Sequence, residues 1–137
     1  MSDKKNSLKS MSVVEAIIKN DEGKVLLLKR SKSNKFYVGK WQLPGGKVDF
    51  GEDIQKAIKR EIYEETGRKY SGLRLEKVFS LLEKFDGDKN NVFLMVFFGN
   101  FRGKIALSID HSEAKFVSLR SIKKSSLTPL SKKALFG

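Results

Sequence analysis

Three glutamates between residues 61 and 65 have types and spacing that could support chemistry. Glu61, Glu64 and Glu65 lie three or four residues apart, within a segment whose apolar residues recur at helical spacing. On a helix that winds at about 100° per residue, Glu61 and Glu65 fall inside the apolar arc and Glu64 on its flank. That arc consists of Ile54, Ala57, Ile58 and Ile62. Burying unpaired carboxylates together is costly, so positive charge is expected against them.

Divalent cations or basic side chains can supply that positive charge. Hard cations such as Mg²⁺ and Mn²⁺ prefer carboxylate oxygens, and this chain has no cysteine and one histidine, His111. The alternative is a salt-bridged helix in which Arg60 pairs with Glu64, and Glu64 with Arg68, each four residues apart. The glycine pair at residues 45–46, ahead of the helix, favours the metal interpretation.

The glycine pair and the glutamates together resemble the Nudix box. Gly46 is followed by five residues, Glu52, seven further residues and then the run Arg-Glu-Ile-Tyr-Glu-Glu-Thr-Gly at residues 60–67. Residues 41–46 also resemble the segment that usually precedes the box. One position departs, since Arg68 stands where the family normally has an aliphatic residue. The chain therefore resembles the Nudix hydrolases, as a small MutT-like member.

The resemblance implies both an activity and a set of site residues. The implied activity is attack by water on a phosphorus of a nucleoside diphosphate linked to another moiety, with Mg²⁺ or Mn²⁺ as cofactor. The implied metal ligands are Glu61, Glu64, Glu65 and the carbonyl oxygen of Gly45. The implied catalytic residues are Glu64, Arg60, which orients a glutamate by ion pairing, and Glu52, which supports the loop and helix.

Further candidates lie outside the box. Asp110 and Glu113 are candidates for an additional metal ligand or general base, because family members differ in which acid takes the proton. Arg30 and Lys47 are candidate substrate contacts, with solvated cations as the alternative. Trp41 is a candidate for stacking on a base, as are Phe36 and Tyr37, but Trp41 is equally compatible with a place in the core.

Composition and charge restrict the partners without identifying them. With 28 Lys plus Arg against 16 Asp plus Glu, the formal net charge is +12, which attracts anions such as nucleotides and nucleic-acid 5' ends. The absence of cysteine excludes disulfides and thiolate catalysis. The apolar run at residues 92–98 is too short to span a membrane as a helix, and no secretory signal precedes it. We therefore expect a soluble, cytoplasmic protein, either a monomer or a homodimer.

The pattern of apolar residues predicts one domain. Residues 1–11 are expected to form a flexible polar leader, and residues 12–137 a single Nudix domain. The predicted helix runs from the N-cap Asp53 to Thr66 and ends at Gly67. Predicted strands cover residues 13–18, 25–28, 73–82, 92–98 and 115–119, with short helices within residues 120–135. The expected fold is α/β (α+β), an α/β/α sandwich with a mixed β-sheet and a Nudix loop and helix.

Residues outside the box do not single out a substrate. A small member of this kind most resembles a nucleoside triphosphate pyrophosphatase, which releases a nucleoside monophosphate and pyrophosphate. The alternatives are a hydrolase of a more anionic substrate, such as a dinucleoside polyphosphate, ADP-ribose or an RNA 5' end, and a non-catalytic, nucleotide-sensing Nudix module. A basic nucleic-acid-binding domain is a third class, but it lacks a clustered basic patch.

Overall fold

The computed structural model describes residues 9–85, 87–102 and 111–137. In these ranges the chain forms the expected α+β fold, with seven strands and two α-helices. The elements are β1 Lys9–Lys19, β2 Val25–Arg30, β3 Trp41–Gln42, β4 Gly45–Lys47, α1 Ile54–Thr66, β5 Arg74–Phe85, β6 Asp88–Asn100, β7 His111–Val117 and α2 Pro129–Phe136. Two 3-10 turns, Leu119–Ser121 and Lys124–Ser126, precede α2.

The sheet is mixed and is divided at its centre. Its main path runs β3-β2-β1-β6-β5, and β1 is parallel to β6. Strands β1 and β2 pair where Lys19 meets Val25, next to their connecting turn. Beyond that point β4 pairs with β1 and β3 pairs with β2. The segment at residues 43–46, called the glycine turn below, joins β3 to the start of β4 and is thereby inserted between β1 and β2, which leaves room for a cleft.

The two faces of the sheet carry separate apolar clusters, because side chains alternate along each strand. One cluster joins Val14, Ala16, Ile18 and Phe97 to the buried face of α1. The other joins Val13, Ile17 and Val96 to Ala134 of α2, with Leu130 and Leu135 packed against it. This is the arrangement of a sheet between helices that the sequence predicted.

Helix α1 begins and ends where the sequence predicted. The carboxylate of Asp53 accepts hydrogen bonds from the backbone N–H groups of Gln55 and Lys56. Gly67 ends the helix with φ 72°, in the left-handed region that favours glycine. These caps fix the register of α1 and hence the direction of its three glutamates.

The start of β1 differs from the prediction. Residues 9–11, assigned to the polar leader, belong to β1, where Lys9, Ser10 and Met11 pair with Asn90, Asn91 and Val92 of β6. These are backbone pairings, so the polar side chains gave no sign of them. Residues 1–8 of the predicted leader lie outside the described residues. No helix in the described part of the chain is long and apolar enough to cross a membrane.

Candidate active site

Arg60 connects the loop before α1, which contains Glu52, to the glutamates of α1. Its Nε and Nη2 donate to the two carboxylate oxygens of Glu52, over 2.8 and 3.0 Å, and Nη2 also donates to the carbonyl of Lys47. Its Nη1 donates to Glu61 over 3.0 Å and to Glu64 over 3.3 Å. Paired hydrogen bonds of this kind are among the strongest that a carboxylate forms. They lower the pKa of Glu52 to about 2, helped by the backbone N–H of Asp49.

The glycine turn brings β4 against the α1 glutamates. The N–H of Gly45 donates to Glu65 Oε1 over 2.7 Å. A Cβ atom at Gly45, whose φ is 154°, would lie 2.1 Å from the carbonyl oxygen of Val14. A Cβ atom at Gly46 would lie 2.6 Å from the carboxyl group of Glu61. Each glycine is therefore required by a close approach, to β1 at Gly45 and to α1 at Gly46.

Burial and mutual repulsion oppose ionisation of the inner glutamates. Burial raises the pKa of Glu65 well above its usual value, and the negative charge of Glu61 raises it further, against the N–H of Gly45. Burial also raises the pKa of Glu61, against the lowering effect of Arg60. A carboxylate cluster of this kind is stabilised in its ionised form by added positive charge.

The predicted metal ligands are brought together only in part. Among the described residues, no three acidic or histidine side chains converge closely enough to hold a metal ion as they lie. Glu61 and Glu65 both contact the glycine turn, whereas the Glu64 side chain is 55% exposed and paired with Arg60. The donor set is nevertheless all oxygen, which suits Mg²⁺ or Mn²⁺ in kind.

A cleft of about 870 Å³ opens beside this turn. Its walls include Gly45, Gly46 and Glu52, while Glu61 and Glu65 contact the turn from α1. The remaining wall includes Lys9, Glu15, Arg30, Phe36, Tyr37, Gln42, Lys47, Glu83, Asp88 and Leu130. A volume of several hundred Å³ with mixed aromatic and charged walls suits a small molecule of nucleotide size.

The predicted substrate contacts divide between the cleft and the core. Arg30 and Lys47 line the cleft. Arg30 Nε donates to the carbonyl of Phe36 over 2.8 Å, and its Nη1 donates to the side-chain oxygen of Gln42. Trp41 does not line the cleft: it packs against the apolar cluster on the α2 side, with Lys115 Nζ 5.2 Å from the ring centre. Trp41 is half-buried against that cluster.

Of the two later acids only Glu113 lies within the described residues, and it does not join the site. Glu113 lies on β7, where its carboxylate pairs with Lys29 over 3.6 Å and Lys115 over 3.9 Å, and it does not line the cleft. Asp110 lies outside the described residues. Strand β7 pairs with β2, so the Glu113 side chain is held by a neighbouring strand rather than by the glycine turn.

Sequence reasoning missed two residues that line the cleft, Glu15 and Gln42, and Ser131, which supports Glu15. Glu15 of β1 is buried, and the Ser131 hydroxyl of α2 donates to its Oε1 over 2.9 Å. Burial raises the pKa of Glu15 to about 8, against the lowering effects of Ser131 and Arg30. The available signal was a charged residue inside the apolar run from Val13 to Ile18, since lone charges are rarely buried without purpose.

The fold and the site define a small domain of the Nudix class, and comparison with known proteins agrees. A family model described as NUDIX domain matches residues 9–136. The chain belongs to the Nudix family.

Relatives with different named activities share this family. The chain is 39% identical to an ADP-ribose pyrophosphatase of Methanocaldococcus jannaschii over 116 residues, covering 81% of this chain and 63% of that protein. It is 40% identical to the Escherichia coli nucleoside triphosphatase NudI over 60 residues, covering 44% of this chain and 42% of that protein. The chain thus spans less than two thirds of the length of either relative.

A solved structure extends the likeness over the whole fold. The MutT protein from Methanosarcina mazei Go1 superposes with a TM-score of 0.76 at 29% sequence identity, covering 93% of this chain and 91% of that one. The sheet and both helices of the present chain therefore follow an established Nudix architecture.

Proposed function

We propose that this protein is a divalent-metal-dependent pyrophosphohydrolase that cleaves nucleoside triphosphates to a nucleoside monophosphate and pyrophosphate. The observation that carries the proposal is the charge imbalance around Arg60. One guanidinium serves Glu52, Glu61, Glu64 and Asp49, and Glu65 adds a buried carboxyl group whose ionisation the charge of Glu61 opposes. The paired hydrogen bonds to Glu52 take up most of that guanidinium.

The surplus of carboxylates supports a cation site on α1. Glu61, Glu64, Glu65 and the carbonyl oxygen of Gly45 would hold Mg²⁺ or Mn²⁺. When bound, such an ion supplies positive charge that neutralises the pyrophosphate group and makes the attacking water more acidic. Arg60 holds Glu61 and Glu64 in place, and Glu52 anchors Arg60 to the loop. Arg60 and Glu52 therefore contribute by positioning the two glutamates.

The reaction itself needs a base and a route for the leaving group. A water oxygen forms a bond to a phosphorus of the substrate, and the bond from that phosphorus to the bridging oxygen breaks, so that its electron pair leaves on the departing pyrophosphate or nucleoside monophosphate. Glu64 takes the proton of the water, since it is the most exposed glutamate of the three on α1 and Arg60 orients its carboxylate. Arg30 and Lys47 line the cleft, which supports a role for them in binding the phosphates.

A second substrate has support from one relative. The Methanocaldococcus jannaschii protein that matches 81% of this chain is named an ADP-ribose pyrophosphatase. ADP-ribose also contains a nucleoside diphosphate linked to a further group, so the same carboxylates could cleave it. The nucleoside triphosphate reading is supported instead by the named activity of NudI.

The test is a substrate panel with matched variants. Purified protein with Mg²⁺ or Mn²⁺ is incubated with the common nucleoside triphosphates, ADP-ribose, a dinucleoside polyphosphate and a 5'-triphosphorylated RNA, with EDTA as the metal-free control. We expect hydrolysis of triphosphates that EDTA abolishes. Glu64→Gln should lower kcat by about two to four orders of magnitude, the usual value of a general base. Its melting temperature should stay near that of the wild type, because the side chain is half exposed.

Glu22→Gln is the matched control, since Glu22 is an exposed carboxylate in the turn between β1 and β2. It should hydrolyse the panel at the wild-type rate. Tight nucleotide binding without any turnover would contradict the proposed hydrolase activity and favour a non-catalytic, nucleotide-sensing module. Salt-sensitive RNA binding that survives Glu64→Gln, again without turnover, would favour the nucleic-acid-binding class. Titration with Mn²⁺ alone, followed by calorimetry, tests the metal site independently of activity.

A further inference from the structure

Glu15 is a buried acid that the proposed hydrolysis does not use. It lies on β1 with 5% of its surface exposed, and it lines the cleft. Its same-face neighbours on β1, Val13 and Ile17, are buried in the apolar cluster on the α2 side. A carboxyl group in such surroundings needs hydrogen bonds to offset the loss of water.

The hydrogen bond from Ser131 has a definite direction. The N–H of Leu43 donates to Ser131 Oγ over 2.9 Å, so the hydroxyl accepts from Leu43 and directs its own proton to Glu15 Oε1. A carboxylate has about four acceptor sites, and Ser131 occupies one of them. No salt bridge to Glu15 is formed within the described ranges; Arg30 acts on it through the electrostatic field. Glu15 is thus held rigidly, with acceptor capacity left at the cleft floor.

Gln42 adds a donor to the same cleft. Its side-chain oxygen accepts from Arg30 Nη1, which fixes the amide orientation and turns the amide nitrogen away from Arg30. The cleft therefore presents carboxyl acceptors from β1 and an amide from β3, both on strands rather than on mobile loops.

We propose that Glu15 is a specificity-determining residue, which selects a nucleobase with adjacent ring N–H and amino donors by accepting hydrogen bonds from them. Among the common bases, guanine presents two such donors side by side, its ring N1–H and its 2-amino group. At least one oxygen of a carboxyl group accepts hydrogen bonds in either protonation state. Lys47 lies on β4 two residues beyond Gly45, the pairing partner of Glu15, and offers the phosphates a cation in the same cleft. This inference rests on the proposed function, because it concerns the base of the same nucleotide.

The experiment removes one donor from the ligand and the acceptor from the protein. Values of kcat/KM are measured for GTP and for inosine triphosphate, which lacks only the 2-amino group, with wild type and with Glu15→Gln. The wild type should prefer GTP over inosine triphosphate by about tenfold, the size expected for one hydrogen bond. Glu15→Gln should reduce that ratio to near one.

Two controls separate base selection from a structural role. Glu22→Gln should keep the wild-type ratio. Ser131→Ala frees the carboxyl group without removing it, so the ratio should fall by less than it does in Glu15→Gln. Equal wild-type rates with the two nucleotides would overturn the proposal. So would a GTP preference that persists in Glu15→Gln, which would leave Glu15 as a support for α2 alone.

Failure of the proposed function is distinguishable from failure of this inference. If no triphosphate is hydrolysed, calorimetric binding of GMP and inosine monophosphate to the wild type still measures the contribution of the 2-amino group. A difference of about tenfold in Kd between the two would support base selection in a protein that does not cleave nucleotides. Equal Kd values would overturn it. The same binding measurement serves if Glu15→Gln does not fold.

Discussion

At the scale of single residues, the guanidinium of Arg60 organises the site. Its planar fork matches the two oxygens of Glu52 and still leaves Nη1 for Glu61 and Glu64. A lysine, with one ammonium group, could not make these contacts together. The sequence offered the Arg60–Glu64 pair as an alternative to a metal site. The structure contains that pair, yet it also shows that one guanidinium is shared among several carboxylates.

The second ion pair predicted for a salt-bridged helix, between Glu64 and Arg68, is absent among the described residues. Arg68 donates to the carbonyl oxygen of Arg102 over 3.3 Å, and its guanidinium lies 5.6 Å from the ring centre of Phe101. Glu64 therefore gains no second cation from its own helix. The salt bridge between Arg60 and Glu64 is compatible with a metal site. It leaves negative charge on the glutamates that a bound divalent cation would offset.

The Glu52–Arg60 interaction predicts a pH dependence of stability. Arg60 lowers the pKa of Glu52 from its usual 4.5 to about 2. Because the depressed pKa belongs to the folded state, the stabilisation is complete above pH 4.5 and is lost as the pH falls toward 2. Glu52→Gln should therefore be less stable than wild type at pH 7, and the difference should shrink between pH 4.5 and 2. Urea unfolding at a series of pH values measures it.

Glu22→Gln again serves as the control, because among the residues that the structure describes the Glu22 carboxylate has no hydrogen bonds to an arginine of the kind that Glu52 accepts from Arg60. Its unfolding curve should follow that of the wild type across the same pH range. A difference between Glu52→Gln and wild type that stays constant from pH 7 to pH 2 would show that the ion pair does not set the acid stability.

At the scale of elements, the two glycines of the turn should respond differently to the same substitution. Gly45→Ala places a methyl group against the backbone oxygen of Val14, which cannot move without breaking β1 from β4. Gly46→Ala places it against the carboxyl end of Glu61, which is flexible. We expect Gly45→Ala to lower the free energy of unfolding by several kcal/mol, about the size of other severe backbone clashes. Gly46→Ala should unfold within roughly 1 kcal/mol of wild type yet lose most activity.

Chemical denaturation and a hydrolysis assay on both variants decide this prediction. Each variant is the control for the other, since the added group is identical and the positions are adjacent. If Gly46→Ala retained full activity, the contact between Gly46 and Glu61 would have no part in catalysis. If Gly45→Ala were as stable as the wild type, the turn would be able to move away from β1.

The elements also show what the sequence could predict. Local spacing was enough for α1, its caps at Asp53 and Gly67, and the placing of Glu61 and Glu65 toward the core. Strands β3 and β4 were not predicted because they are two and three residues long, too short for any apolar pattern. The cleft could not be predicted from the sequence for a different reason. Glu15, Gln42 and Ser131 are far apart in the chain, and contacts between distant segments bring them together. Trp41, next to Gln42, packs half-buried against the apolar cluster on the α2 side.

At the scale of the whole molecule, the formal charge of +12 should act on any phosphate substrate. The cleft wall itself has both signs, with Lys9, Arg30 and Lys47 near Glu15 and Glu83. The attraction must therefore come largely from the field of the entire surface rather than from a basic pocket. Such a field is weakened by salt, because at 0.1 M ionic strength charges are screened beyond about 10 Å.

The field predicts a dependence of KM on salt that grows with the charge of the substrate. Raising the ionic strength from about 20 to about 200 mM should increase KM for a nucleoside triphosphate several-fold, while kcat stays nearly constant because the contacts around Arg60 are short and local. ADP-ribose, with fewer phosphate charges, should show a smaller rise in KM under the same conditions. Steady-state kinetics at fixed free Mg²⁺ separates the two parameters. Equal salt dependence for both substrates would mean that the net charge does not guide binding, and that local contacts such as Arg30 and Lys47 supply the attraction.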